Sequence, residues 1–434
     1  MKRLIIMVAA VLSSAATVSS GQQVAASKFQ VSGIPVILKP VTANDVIAVR
    51  LYIRGGSSNL SPSTAGIESF MLDVATHGTA KYSKDAFNER LTETGTSISS
   101  DAGYDYSSMS LQGVRQHWNE AWDLFTEAAL KPSFPSSEVE LERAQLVDAL
   151  KRIPDDPDSY LTYLADSSLY AGHTYAVSPQ GTPASIGAIT RDALANWHQQ
   201  RFTRENLLIV VVGNVSRADL TQKIESTFGR LPATGGTAIR APRLAAVTPD
   251  VMVVKRELPT NYIAGYFAAP PPSDPDYAAL RVATDILSDR LFEEVRTKRN
   301  LNYSVGAGLS TRAANRGSLY VTAVEPDTTL KVILTQVRRL QREPLPQSTL
   351  SENVNTFLTE FWMSQQSNMG QAQQLGLFEL LGGGWQNLGR FVDAVRRVTP
   401  ADVQRVATRR TASTKRPRFC QPPPSSSNKP SCCA

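Results

Sequence analysis

The segment Gly66-Ile67-Glu68-Ser69-Phe70-Met71-Leu72-Asp73-Val74-Ala75-Thr76-His77-Gly78-Thr79 decides how the rest of the chain is read. From Gly66 to Thr76 it reads as a helix, with Ser69, Asp73 and His77 spaced i, i+4 and i+8 along one face. A nucleophile, an acid and a base in a row suggest a Ser/Asp/His triad. At a rise of about 1.5 Å per residue, however, Ser69 and His77 stand about 12 Å apart. A triad needs the nucleophile against the histidine and the histidine against the acid. Here the acid stands between them, so the helix is not a serine-hydrolase centre.

Outward from this helix the chain reads as two copies of one plan. In the first half, Asp45 to Ile53 is a β-rich run ending at Gly55-Gly56. Helix-like stretches follow at Gly66 to Thr76 and Lys84 to Thr94, and then the alternating run Tyr104 to Leu111. In the second half, Asn261 to Ala269 is β-rich and ends at Pro270-Pro271-Pro272. A long helical stretch runs from Asp276 to Lys298, and strand-like runs follow at Asn302 to Leu309 and Ser318 to Val324. The repeated order of strand, helices and strands argues for duplication. Leu207 to Gly213 is uninterrupted apolar sequence, expected as a buried central strand. Ser216 to Gly229 follows as an amphipathic helix capped by Ser216 or Asn214.

These segments, in this order, resemble the pitrilysin and mitochondrial-processing-peptidase family of zinc peptidases, over Phe29 to Thr408. That family carries an inverted H-x-x-E-H motif on one helix, followed shortly by Gly-Thr. Aligned on Gly78-Thr79, the two ligand histidines fall at Ser69 and Asp73, and the base glutamate falls at Leu72. The family's third ligand, a glutamate on a helix that begins Glu-Arg, falls at Ala149 of Glu142-Arg143-Ala144-Gln145-Leu146-Val147-Asp148-Ala149. Zinc needs three protein ligands and an open position, and only Asp73 keeps ligand chemistry. Further resemblance lies in Asp155-Asp156-Pro157, in His173-Thr174-Tyr175 with Gly181-Thr182, and in Phe228 to Pro232. The sharpest match is Arg290 to Val305, which is similar to the family's R-x-x-x-x-L-x-Y-S-V signature.

The resemblance implies an α+β fold of two similar domains. Each would be a mostly antiparallel sheet with helices packed on one face, the pair forming half of a clam-shell chamber. The divisions expected are a signal peptide at 1–20, a peptidase-like domain with a degenerate zinc site at 26–232 and a linker at 233–249. A second peptidase-like domain at 250–408 and a basic Pro/Ser-rich disordered tail at 409–434 complete the chain. In the family the second half ends with a further strand after the helix that matches Thr399 to Thr408, and the sequence offers none. Either the tail has replaced it, or the reading frame is altered near Arg409.

Composition limits the alternatives. Of 434 residues, 42% are hydrophobic and 19% charged, as in soluble globular proteins. The formal charge of +6 comes from the ends of the chain. Without Lys2, Arg3 and the six basic residues from Arg409 onward, 37 basic residues face 39 acidic ones, so nucleic-acid binding has no compositional support. Two positives, the short apolar run Leu4 to Leu12 and the small residues up to Ser20 have the order of a secretory signal peptide, and no later run is long enough to span a membrane. The chain is therefore expected to be exported and periplasmic. Its three cysteines, Cys420, Cys432 and Cys433, all lie in the tail, so no disulfide framework is expected. His77, His117, His173 and His198 show no metal-binding spacing. No P-loop, dinucleotide fingerprint or G-x-S-x-G occurs.

The expected function is that of a non-catalytic subunit of a heterodimeric exported zinc peptidase. No cofactor is expected on this chain, and zinc is expected on a homologous partner subunit that cleaves peptides. The resemblance assigns Arg296 and Tyr303 to that partner's active site, where a guanidinium and a phenol favour the charge developing on the scissile carbonyl. It also assigns substrate contact to Ser99, on an edge strand expected at Gly95 to Gly103, where the family usually has asparagine. The alternative is a peptide-binding or structural subunit with no part in catalysis.

Overall fold

The computed structural model describes residues 25–236, 238–245, 250–301 and 304–411. Leu207–Gly213 (β6) is buried along its whole length, as its unbroken apolar sequence requires, and organises the first sheet. Ile34–Pro40 (β2) pairs with it in parallel and Val46–Arg54 (β3) pairs antiparallel on its other side. The sheet continues through Tyr106–Val114 (β5) to Ser97–Ala102 (β4), and on the far side Ser27–Val31 (β1) pairs with β2, giving the order β1-β2-β6-β3-β5-β4. The edge strand expected at Gly95 to Gly103 is β4. A second sheet holds Asn261–Ala268 (β7), Arg316–Ala323 (β9) and Val305–Leu309 (β8), all antiparallel, in the order β7-β9-β8.

The first half carries helices Ile67–Val74 (α1), Lys84–Glu93 (α2), Trp118–Leu130 (α3), Ser136–Arg152 (α4), Pro157–Leu169 (α5), Pro183–Ala188 (α6), Arg191–Arg201 (α7) and Arg217–Ser226 (α8). The second carries Tyr277–Leu291 (α9), Pro326–Arg342 (α10), Gln347–Ser364 (α11), Asn368–Leu381 (α12), Asn387–Arg396 (α13) and Pro400–Thr411 (α14). β3-β5-β4 and β7-β9-β8 follow one plan, and α3, α4, α5 and α7 find counterparts in α10, α11, α12 and α14. The fold is thus the two-domain α+β clam-shell architecture.

Period-two alternation divides each sheet between two cores. Val49, Leu51, Met109, Ile209 and Val211 face α1 and α3, where Phe70, Trp122 and Phe125 complete one core. The alternate residues Ile37, Tyr52, Leu208, Val210 and Val212 face the other way and pack on Ala372, Leu375 and Leu380 of α12, a helix of the second half. Asn368 fixes that helix by donating to the Val46 carbonyl at 2.6 Å. The exchange is reciprocal, because α5 of the first half lies on the second sheet. There Tyr320 donates to Asp158, and Arg316 approaches Asp166 at 2.8 Å. The first crossing is mainly apolar, whereas the second adds ion pairs to an apolar cluster that includes Leu169, Tyr170 and Ala314.

α9 does not continue as a regular helix to Lys298. It passes into a π turn at Phe292–Thr297, closed by Lys298 N–H to the Glu293 carbonyl at 2.9 Å. Local i→i+5 pairing of this kind leaves no mark in apolar spacing, which is why the sequence reads as one helix. The strand expected from Asn302 begins at Val305, with Ser304 outside it, and 302 and 303 lie outside the described residues. The signal peptide expected at 1–20 lies outside them, as do residues 412–434 of the tail expected from 409, whose first residues instead continue α14 to Thr411.

Candidate degenerate zinc site

α1 starts at Gly66, whose φ of +83° suits glycine, and a Cβ there would meet Ile186 Cδ1 at 2.6 Å. Ile67, Phe70, Met71 and Val74 bury one side of the helix in the core. Leu72, at the position of the family's base glutamate, is 1% exposed and serves packing. Ser69 and Asp73 lie on the side that meets β4. Ser69 Oγ is 3.4 Å from Asp73 Oδ2 and 3.2 Å from Gln180 Oε1, while Gln180 Nε2 donates to the Ala102 carbonyl at 3.1 Å. Gln180 thereby ties the helix to the edge strand.

Burial raises the Asp73 carboxyl to about 6. The charges of Glu142 and Asp101 push the same way, while hydrogen bonds from Ser69 and Ser100 oppose it. Glu142 comes from α4, which packs against α1 and whose Arg143 is held by the Ile186 carbonyl at 2.7 Å and stands over the Phe70 ring at 5.3 Å. His77 turns away from Ser69 toward α4, with Nδ1 3.8 Å from Glu138 and 4.0 Å from Glu142. Burial and the nearby Lys84 lower its pKa. Ser69, Asp73 and His77 do not assemble as a triad.

Ala149 lies near the end of α4 and is exposed. Serine, leucine, aspartate and alanine at the four motif positions do not make a zinc site. Among the described residues, no three His, Cys, Asp or Glu side chains gather so as to hold a metal ion. The residues present do not fit the zinc that the resemblance implies for the family, and no metal-dependent step follows from them.

Ser99 is exposed on β4, opposite Ser110 of β5, and β4 has no strand on its outer side among the described residues. Arg296 is exposed on the π turn with its guanidinium 5.0 Å from the Phe292 ring. Nearby, Glu294 takes Lys298 at 2.8 Å and Arg299 at 2.6 Å. Tyr303 lies outside the described residues. The structure therefore gathers Ser69, Leu72 and Asp73 beside the strand of Ser99 and places Arg296 in the other half. Sequence reading missed Gln180, which is 111 positions from Ser69 and gives no periodic signal.

Comparison with known proteins agrees with this geometry. The insulinase (peptidase family M16) model matches residues 36–181, and the peptidase M16 inactive domain model matches 188–357. The chain is 21% identical over 380 residues to the uncharacterized zinc protease YmxG of Bacillus subtilis, covering 85% of this chain and 91% of that one. It is 22% identical over 381 residues to the non-peptidase homolog YmxG of Helicobacter pylori, covering 80% and 87%. Among solved structures, a peptidase M16 inactive domain from Pseudomonas fluorescens superposes with a TM-score of 0.83 at 21% identity, covering 89% of this chain and 95% of that one. The periplasmic protease PqqL of Escherichia coli gives 0.75 at 16% identity, covering 95% of this chain and 48% of PqqL. With the two family models spanning most of the fold and the motif positions held by Ser69, Leu72, Asp73 and Ala149, the chain belongs to the M16 peptidase family as a member that lacks the zinc motif.

Proposed function

We infer that this chain is the non-catalytic subunit of an exported heterodimeric M16 peptidase, whose zinc is held by a homologous partner. One observation carries the reading: α1, α4 and β4 keep the framework of an M16 site while all four zinc-chemistry positions have been replaced, Asp73 alone by a side chain that could bind metal. In this reading residues 26–232 and 250–408 are the two peptidase-like domains, 233–249 links them, and together they close the partner's chamber. Arg296 and Tyr303 act at the partner's zinc, stabilising the oxyanion of the tetrahedral intermediate. Export follows from the leader-like first 20 residues, and PqqL, a fold neighbour, is a periplasmic protease.

A second reading is favoured by the edge of β4. Ser97, Ser99 and Asp101 are exposed along a strand whose outer side has no strand partner among the described residues. Such an edge can receive an extended peptide by main-chain pairing without any chemistry. The experiment is Arg296→Ala in the reconstituted complex with the zinc subunit. A fall of about 100-fold in kcat is the scale expected when an oxyanion donor is lost. Unchanged turnover with weaker peptide binding by Ser99→Pro would instead establish the peptide-binding reading.

A further inference from the structure

The outer edge of β4 has a definite register. Gly103 N–H donates to the Tyr106 carbonyl at 3.0 Å, which makes these two residues a hydrogen-bonded pair. Such pairs alternate along an antiparallel ladder. Asp101, Ser99 and Ser97, opposite Ser108, Ser110 and Gln112, therefore turn their main-chain groups to β5. Ala102, Ser100 and Ile98 turn theirs outward, and Gln180 Nε2 already takes the Ala102 carbonyl at 3.1 Å. The N–H and C=O groups of Ile98 and Ser100 are thus the ones presented to an added strand, and no strand pairs with them among the described residues.

The same alternation fixes what a bound peptide would meet. Ser97, Ser99 and Asp101 are exposed on one face of the strand. On the other face Ser100 bonds to Asp73 of α1, and Ile98 packs against the first core. A peptide residue paired with Ser100 sends its side chain to the face of Ser100, toward Asp73. The carboxylates of Glu142 and Asp101 add negative charge at Asp73. The nearby cations are turned elsewhere: Lys84 reaches Glu138 at 2.6 Å, and Arg143 reaches Glu140 at 3.0 Å and the Ile186 carbonyl at 2.7 Å. His77 Nδ1 stands 4.0 Å from Glu142, but burial favours its neutral form. Charge complementarity therefore calls for a cation opposite Ser100, and the residue opposite Ile98 meets an apolar side chain.

We propose that β4 takes up an extended peptide antiparallel to itself, with a lysine or arginine opposite Ser100 seated against Asp73 beside the emptied motif positions. The antiparallel direction gives the more stable ladder and selects the order basic-x-apolar, with the apolar residue opposite Ile98 and x beside Ser99. This rests on the peptide-binding reading of β4 and names its ligand. The test uses the full chain without a partner and fluorescein-labelled peptides carrying Arg-x-Leu in a Thr/Val host, read by anisotropy. Arg-x-Leu binds about tenfold more tightly than norleucine-x-Leu or Leu-x-Arg, the scale of one charge-assisted hydrogen bond. Asp73→Asn removes that preference, and Glu142→Gln reduces it. Methylating the main-chain nitrogen of the Arg, whose N–H meets the Ser100 carbonyl, abolishes binding, whereas methylating that of x does not. Sensitivity to the first methyl without preference for Arg-x-Leu, or with a preference that Asp73→Asn keeps, overturns this proposal and leaves the edge reading standing. Indifference to that methyl, or no binding of any peptide, overturns both.

Discussion

Gly376 of α12 rests directly on the ring of Tyr52 of β3. The Tyr52 phenol donates to the Gln373 carbonyl one turn earlier, at 3.2 Å, and a Cβ at 376 would fall inside the van der Waals surface of that ring. A helix of the second half is thus seated on the sheet of the first by a residue with no side chain.

Alanine in a helix interior ordinarily stabilises by about 1 kcal/mol relative to glycine. At 376 the sign should reverse. Gly376→Ala is expected to cost about 1–3 kcal/mol as the ring or the helix is displaced. Denaturant titration checks this, and Gly389→Ala on α13, where a Cβ meets nothing within 4 Å, is the control expected to be neutral or stabilising.

The ion-paired crossing makes the converse prediction. Asp166 of α5 receives Arg316 at 2.8 Å and Arg312 at 3.7 Å, with the two guanidinium groups stacked on Tyr266 at 3.9 Å and Tyr104 at 4.1 Å. Removing the carboxylate leaves two largely buried cations without their counter-charge. Asp166→Ala should cost about 2–4 kcal/mol. Because the contact joins the halves, chemical unfolding of the variant should separate into two transitions.

Asp73 supplies a pH dependence. Its carboxyl is raised to about 6 in the folded chain, against about 3.9 when unfolded. The folded state therefore binds the extra proton between those values. Stability from this group is present below about pH 4 and is lost as pH rises through about 6. Asp73→Asn should abolish this dependence and stabilise the chain at pH 7.5 by about 1–2 kcal/mol, read from urea midpoints at pH 4.5 and 7.5. An aspartate retained for a structural ion pair would give the opposite slope.

If only side chains are missing from the zinc site, restoring them should restore binding. The variant Ser69→His, Leu72→Glu, Asp73→His, Ala149→Glu is expected to bind one zinc ion, whereas Ser69→His with Asp73→His alone binds weakly for want of the third ligand. Metal content after dialysis decides between them.

Much of the architecture was legible in the sequence because it rests on strong local patterns. The all-apolar Leu207 to Gly213 could only be a central strand, and the repeated order of strands and helices announced two similar domains. What the sequence withheld is long-range or irregular. Nothing in α12 marks it for the other half's sheet, since its apolar residues serve any core equally well. The π turn under Arg296 depends on i→i+5 pairing, and Gln180 reaches Ser69 only through the fold. The emptied motif positions were readable because identity alone, not geometry, decides whether serine, leucine or alanine can hold zinc.

The most direct test of the central claim is to assay metal content and peptide cleavage on the purified chain, alone and then with a homologous zinc-bearing M16 subunit. The account predicts a chain that is zinc-free and inactive alone and that raises the cleavage rate of the zinc subunit on mixing. A stoichiometric zinc on this chain, with cleavage that chelators abolish, would contradict it.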